Sequence, residues 1–122
     1  KHETFDITDK INEYIKDVDR GICNVFVMHT TMAVIVNENK DSNIPVDLLD
    51  NMERLFPKNG KYLHNKIDDN AEAHMKGTIL GASENIPIEN GKLKLGTYQR
   101  VIVFEFDGPR KERKVNIEVV KG

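Results

Sequence analysis

The sequence has almost none of the residues from which disulfide frameworks and membrane spans are built. Cys23 is its single cysteine, which excludes an internal disulfide and favours a reducing compartment. No apolar run approaches the ~20 residues that cross a bilayer, and no signal peptide is visible in the sequence. We therefore expect a cytoplasmic protein that has no membrane partner.

An excess of charge and the best-known catalytic motifs are lacking too. The formal net charge is −2 and no basic run occurs, so we expect no nucleic-acid partner. The chain has no glycine-rich phosphate loop, no H-E-x-x-H sequence, no pair of zinc-binding cysteines and no nucleophile elbow. The classes that remain are small-molecule enzymes and binding proteins without a signature motif.

What the chain does have is enough length for one domain, residues 1–122, which buries about two-thirds of its unfolded surface at best. Hydrophobic residues make up 39% of the chain and charged residues 31%, so core material is scarce. An interface between copies would add to the buried area. We therefore expect the protein to self-associate.

The first third of the chain predicts a strand, a helix and then two more strands. Residues 4–7 could end a strand, and Thr8 is a plausible N-cap for a helix that carries Ile11, Ile15 and Val18 at helical spacing. Residues 22–38 then change to the alternation of β-strands.

A bend near Thr30 and Thr31 divides this β-rich segment into two runs. The bend would make the runs neighbouring strands or one long bent strand, and it leaves His29 at a strand end beside two hydroxyl groups. The second run, residues 32–36, is too continuously apolar to face water on either side.

Two helices are predicted in the middle of the chain, and strands follow them. The first helix has Ser42 or Asn43 as its cap, and the second runs from about Asn70 to Gly81. Gly77 inside the second helix costs about 1 kcal/mol against alanine, which predicts close packing of that face.

The C-terminal third of the chain predicts strands. Glu89-Asn90-Gly91 is a hairpin signal between two short apolar runs. Residues 98–106 alternate between two faces, and residues 115–119 form a last alternating strand. The order of elements predicts an α+β fold of mostly antiparallel sheets with two to three helices.

The stretch from His64 to His74 carries the densest group of polar side chains. If a helix opens inside it, Asn70 and His74 lie one above the other at i and i+4. A helix N-terminus with one imidazole on it and another in the preceding loop suits a metal ion or an anionic substrate. The alternative is that His74 packs beside Met75 and that Asn70 only caps the helix.

Other polar side chains stand at the ends of predicted elements, and some could converge on this stretch. Three imidazoles and a carboxylate are a sufficient ligand set for a divalent metal ion, zinc or magnesium, with an open position. The candidate metal ligands are His29, His64, His74, Glu38 and Asp41. Glu105 stands on an apolar strand, where a buried carboxylate is costly without a partner.

Several blocks, taken together and in order, resemble the YjbQ family of small proteins. They cover nearly the whole chain from Thr8 onward and are VMHTT at 27–31, VNEN at 36–39 with Asp41, DL at 47–48, YLH at 62–64, DNAEAH at 69–74, LGTYQ at 95–99 and EFDGPR at 105–110. Two departures are small. The first strand is shorter than is usual in the family, and Tyr98 stands where the family often has tryptophan.

The resemblance implies an α+β fold whose members assemble as homotrimers, with sheets packed around the threefold axis. It also implies a polar cluster in which His29, His64 and His74 act with Glu105 and Gln99 as catalytic residues. Carboxylates in such a cluster can orient histidines as well as bind metal.

The resemblance further implies a secondary thiamine-phosphate synthase activity, which couples a hydroxymethylpyrimidine diphosphate to a thiazole phosphate and releases pyrophosphate. Thr30, Asn70 and Arg110 are then the candidate residues for binding the small phosphorylated substrates. A divalent cation and Arg110 would neutralise charge on the leaving group, whereas Arg113 is expected to be solvated on the terminal strand. Two alternatives stay open: metal-dependent hydrolysis of a small phosphorylated metabolite, and a non-catalytic trimer that binds a metal or small anion.

Overall fold

Seven strands and three α-helices make up the computed structural model, which describes residues 2–66, 69–109 and 112–122. In chain order the elements are β1 (Glu3–Asp6), α1 (Thr8–Tyr14), β2 (Arg20–Val27), β3 (Met32–Glu38), α2 (Asn43–Leu55), a 3₁₀ turn (Leu63–Lys66), α3 (Ala71–Leu80), β4 (Ser83–Glu89), β5 (Lys92–Leu93), β6 (Gln99–Glu105) and β7 (Val115–Lys121).

The strands form two antiparallel sheets, so the predicted α+β class is confirmed. One sheet has three strands in the order β1-β6-β3, and the other has four in the order β5-β4-β2-β7. The prediction that β2 and β3 are neighbours or one bent strand is wrong, because the chain between them crosses from one sheet to the other. Local alternation identifies each strand, but it does not say which strands pair.

The core between the two sheets explains why β3 is apolar on both faces. Val34 of β3 and Val103 of β6 pack against Val25 of β2 in this core. The opposite face of the three-stranded sheet packs against α2 and α3, where Ala33 and Phe104 are fully buried. The alternation predicted for residues 98–106 is therefore confirmed, and so is the burial of the 32–36 run on both sides.

The first helix begins differently from the prediction. Ile7 occupies the N-cap position, while the N–H of Thr8 donates to Asp6 Oδ1 at 3.0 Å. The Thr8 hydroxyl accepts the N–H of Val101 at 2.8 Å. Thr8 is therefore not the N-cap, because its hydroxyl fastens α1 to β6 instead.

The helix α3 has the predicted ends, with Asn70 at the N-cap position and Gly81 at the C-cap position. Gly77 lies against the neighbouring sheet: a Cβ there would come within 2.9 Å of the carbonyl oxygen of Met32. The predicted close packing of this face is confirmed. It fixes α3 against the start of β3, beside His29.

The hairpin prediction is also confirmed. Asn90 and Gly91 both have positive φ, at 54° and 76°, which is the conformation that a two-residue hairpin turn of this twist requires.

The outer face of the four-stranded sheet carries exposed apolar side chains. Ile22 and Phe26 of β2 and Val120 of β7 are 43%, 42% and 66% exposed. Among the residues that the structure describes, no helix combines the length and apolar character needed to cross a membrane.

Candidate functional site

Three polar side chains meet where the 3₁₀ turn leads into α3. The Nε2 atom of His64 lies 3.0 Å from Oδ1 of Asn70. The rings of His64 and His74 are 4.8 Å apart between centroids and lie edge to face, at 77°. The predicted stacking of Asn70 and His74 on the first turn of α3 therefore places two imidazoles in contact.

One interpretation of the sequence expected Asn70 to cap the helix with its side chain, but the side chain makes no capping hydrogen bond. Its Nδ2 donates instead to Oδ2 of Asp107 at 2.6 Å, and its residue is only 8% exposed. Asp107 lies two residues beyond the end of β6, and the sequence predicted no functional role for it. A carboxylate at the end of a buried strand was the signal that could have found it.

His29 and His74 line one cavity of about 350 Å³ between the β2–β3 connection and α3. Thr30 and Thr78 line it too. The Nε2 atom of His29 accepts the backbone N–H of Lys114 at 2.8 Å. The cavity therefore contains two of the three predicted imidazoles and a candidate substrate-binding hydroxyl.

The described residues do not gather the predicted metal ligands around one point. Within 2–66, 69–109 and 112–122, no group of three or more His, Cys, Asp or Glu side chains is placed to hold a metal ion. The lone pair on Nε2 of His29 already accepts a backbone N–H, so a neutral His29 carries its proton on Nδ1 and has no lone pair left for a metal. The donor set of one chain in this arrangement does not fit a three-imidazole metal site.

Three of the candidate residues lie at the end of the three-stranded sheet that is far from the histidines. They are Glu38, Asp41 and Gln99. The β3–β6 register pairs Met32 with Glu105 at one end, the Glu105 end, and Glu38 with Gln99 at the other, the Gln99 end. Over a seven-residue strand these ends are roughly 20 Å apart.

At the Gln99 end the candidate side chains bond to their own loops. Gln99 Oε1 accepts the N–H of Gly96 at 2.8 Å, and Asp41 Oδ1 accepts the N–H of Asn43 at 3.0 Å. Glu38, Asp41 and Gln99 are therefore not brought to the histidines within one chain.

Glu105 is buried, with 2% exposure, and it has the partner that its burial requires. Arg113 donates from Nε and Nη2 to both carboxylate oxygens, and it also reaches the hydroxyl of Thr31 at 2.9 Å. The N–H of Asp107 donates to Glu105 Oε2 at 2.7 Å. Arg113 is thus not a solvated residue, and Glu105 anchors the segment that carries Asp107. Arg110 lies outside the described residues.

A second buried charge cluster holds α3 against α2. Lys76 has no exposed surface, and its Nζ lies 2.8 Å from Glu53 Oε1 and 3.6 Å from Glu72 Oε2. His2 Nε2 is 3.0 Å from the same ammonium. The hydrogen bond from Lys76 lowers the pKa of Glu53, and burial together with Lys76 lowers the pKa of His2. Sequence reasoning missed this cluster, although Glu72 and Lys76 stand at i and i+4.

Comparison with known proteins gives one consistent result. The family model described as "UPF0047 protein YjbQ-like" matches residues 1–122. A UPF0047 protein of Archaeoglobus fulgidus is 43% identical over 113 residues, which cover 93% of this chain and 88% of that protein. The Bacillus subtilis UPF0047 protein YugU is 34% identical over 112 residues, covering 90% and 84%.

Solved structures agree with the sequence comparison. A YjbQ/UPF0047 family protein of Clostridium acetobutylicum is 41% identical with a TM-score of 0.91, over 98% of this chain and 92% of that one. A YbjQ-like protein of Sulfolobus solfataricus is 36% identical with a TM-score of 0.94, over 99% of this chain and 88% of that one. The arrangement of sheets and helices described above is therefore shared by solved structures.

Proposed function

We propose a function for this chain from the premise that it belongs to the UPF0047 family of YjbQ-like proteins. In this proposal the protein is a small-molecule enzyme whose chemistry is carried by the imidazole pair of His64 and His74. The observation that supports it is the position of that pair: the rings are 4.8 Å apart at the start of α3, and His74 lines a cavity with His29 and Thr30.

The chemistry around the pair favours an anionic substrate. The pair stands at the N-terminus of the ten-residue helix α3, where the helix dipole and backbone N–H groups favour negative charge. Asn70 does not use its side chain to cap that terminus. Imidazoles can donate to phosphate oxygens and exchange protons near neutral pH. A small phosphorylated molecule is therefore the substrate class that we propose.

The specific reaction that we propose is the thiamine-phosphate synthase-like transfer, in which a thiazole phosphate displaces pyrophosphate from a hydroxymethylpyrimidine diphosphate. In this reaction the bond from the pyrimidine methylene carbon to the pyrophosphate oxygen breaks, and the thiazole nitrogen forms a new bond to the same carbon. It needs a group that stabilises the departing pyrophosphate, and it is assisted by a base that takes a proton from the pyrimidine amino group as the pyrophosphate leaves and returns it when the new bond forms. The imidazole pair can supply both. Hydrolysis of one phosphorylated substrate by the same pair, and binding without turnover, are the other outcomes of the test.

The test is an assay of the purified protein with both substrates and magnesium, in which thiamine phosphate is detected by mass spectrometry and pyrophosphate by a coupled reaction. We expect both products from the wild type and a drop of roughly 100-fold or more for His64→Ala. Lys92→Ala, an exposed change on β5, is the matched control. Equal rates for His64→Ala and the control would contradict the proposal, as would a wild type that forms no product.

We also propose that copies of the chain associate as a homotrimer through the outer face of the four-stranded sheet. Ile22 and its cross-strand neighbour Val120 are exposed there, and Phe26 is exposed farther along the same face. Burial of these side chains would add to a lean core. Light scattering on a sizing column should give the mass of three chains for the wild type and for the control Lys16→Glu, an exposed change in the turn after α1. Phe26→Glu should give the mass of one chain. A wild type of single-chain mass would overturn the proposal.

A further inference from the structure

Three side chains in a row determine where the proton of neutral His64 lies. An ionised carboxylate only accepts hydrogen bonds, so the group of Asn70 that lies 2.6 Å from Asp107 Oδ2 must be the donating Nδ2. The amide oxygen of Asn70 then faces His64, 3.0 Å from its Nε2. An amide oxygen only accepts, so His64 must donate from Nε2.

The other ring nitrogen of His64 is thereby left with the lone pair. A neutral imidazole carries one proton, and with that proton on Nε2 the Nδ1 atom is an acceptor. Among the residues that the structure describes, nothing donates to or accepts from Nδ1 of His64. The edge-to-face contact with His74 restrains the plane of the ring.

We propose that Asp107 is a positioning residue that acts through Asn70 and holds neutral His64 as the Nε2–H tautomer. As a consequence, Nδ1 of His64 is the atom that takes a proton from the substrate. Only the proton transfer from the substrate to Nδ1 rests on the proposed function. In that step the proton moves from the substrate to Nδ1, which forms an imidazolium. The cation is stabilised through Asn70 by the charge of Asp107, and the proton returns to the pyrimidine amino nitrogen when the thiazole nitrogen bonds to the methylene carbon.

The burial of Asn70 supports the inference that Asp107 and Asn70 hold His64 in one tautomer. Asn70 is 8% exposed, so water does not readily replace its amide contacts. Asp107 is tied in turn by its backbone N–H to Glu105, at 2.7 Å, and Glu105 is bound by Arg113. The orientation of one imidazole thus depends on a buried ion pair at the end of β6.

The test is nitrogen NMR of protein labelled with ¹⁵N-histidine at alkaline pH, where imidazoles are neutral and their protonated and bare ring nitrogens have well-separated shifts. We expect wild-type His64 to be almost wholly the Nε2–H form. In Asp107→Asn the new amide can donate or accept, so the Asn70 amide loses its fixed direction and both tautomers should appear. Asp47→Asn, an exposed change on α2, should leave the wild-type signal.

Two outcomes overturn the inference: a wild-type His64 that carries its proton on Nδ1, and an Asp107→Asn protein whose His64 tautomer is unchanged. If Asp107→Asn does not fold, Asn70→Ala breaks the same row and should give the same mixture. Even without either variant, the wild-type tautomer decides the structural step.

Turnover separates this inference from the proposed function. We expect Asp107→Asn to lower kcat by about 10- to 100-fold, as loss of a residue that orients a histidine does, with KM little changed. A tautomer that becomes mixed while kcat stays at the wild-type value would show that Asp107 orients His64 and that His64 is not the base, which contradicts the catalytic half of the proposal. A tautomer that stays fixed contradicts the positioning half.

Discussion

The two ends of the three-stranded sheet each carry an arginine–carboxylate ion pair, but the pairs differ in burial and in what they support. At the Glu105 end, Glu105 and Arg113 have side-chain exposures of 2% and 19%, and their segment leads to Asp107. At the Gln99 end, Asp6 and Arg100 have exposures of 21% and 29%.

The difference between these ends supports the proposal that the chemistry lies at the Glu105 end. Polar groups that a fold buries must be bonded to one another, and at the Glu105 end that requirement produces an oriented row from Glu105 to Asp107, Asn70 and His64. At the Gln99 end the side chains of Gln99 and Asp41 bond to nearby loops. The second arrangement stabilises the fold locally.

The largest expected effect comes from removal of the buried cation at the Glu105 end. Arg113→Met leaves Glu105 as an unpaired buried carboxylate, so we expect the free energy of unfolding to fall by about 3–5 kcal/mol. Urea unfolding measures it, and the neighbouring exposed change Lys114→Met is the control. Adding Glu105→Leu to Arg113→Met should recover part of the loss. A loss below about 1 kcal/mol would place this pair with ordinary surface pairs.

Close packing of α3 at the same end gives the next effect. Gly77→Ala puts a Cβ 2.9 Å from the carbonyl oxygen of Met32, and backbone must move to accept it. We expect a net loss of about 2 kcal/mol, although alanine is otherwise the better helix former. Thermal unfolding of Gly77→Ala measures this loss of stability. Ile79→Ala, an exposed change in the same helix, is the control. Equal stability of Gly77→Ala and wild type would mean that α3 can shift freely on the sheet.

The sequence predicts the parts of the fold that a few neighbouring residues determine. The ends of α3 follow from Asn70 and Gly81, and the hairpin follows from Asn90 and Gly91, because a few neighbouring residues decide each. The two faces of β6 follow from its own alternation.

The partners of the buried polar groups could not be predicted in this way. Asn70 bonds to a residue 37 positions away, and Lys76 pairs with Glu53, 23 positions away. Tertiary packing brings these side chains together: the first pair joins the start of α3 to the segment after β6, and the second joins α3 to α2. Local pattern does not fix such packing. The separation of Gln99 from the histidines has the same origin, since strand register decides which end each residue occupies.

A smaller effect is expected at the Gln99 end, in acid. Burial alone would raise the pKa of Asp6, but hydrogen bonds from Arg100, the Thr8 backbone and Asn39 lower it from 3.8 to about 2. A lowered pKa stabilises the folded state above pH 3.8, and that contribution is lost as the pH falls toward 2.

We therefore expect Asp6→Asn to cost about 1 kcal/mol at neutral pH, because solvent screening reduces the value of a partly exposed pair. The difference from wild type should shrink as the pH falls from 3.8 to 2. Urea unfolding across this pH range measures it, with Asp50→Asn, an exposed change on α2, as control. A difference that does not change with pH would mean that Asp6 acts without its charge.

The smallest effect is expected for the polar candidates at the Gln99 end. Gln99→Ala loses one hydrogen bond to its own loop, and we expect less than about 0.5 kcal/mol in stability and wild-type turnover. Asp41→Asn should behave in the same way. Turnover that falls by tenfold or more in either variant would bring the Gln99 end into the site, for example through an interface between copies.

The most direct test of the account is a titration of ¹⁵N-labelled protein with pyrophosphate, read as changes in amide and histidine signals. We predict that the signals of His29, His64, His74 and Asn70 move together and saturate, while those of Glu38 and Gln99 stay in place. Saturable movement confined to Glu38, Asp41 and Gln99 would contradict the claim that the Glu105 end is the functional end of the sheet.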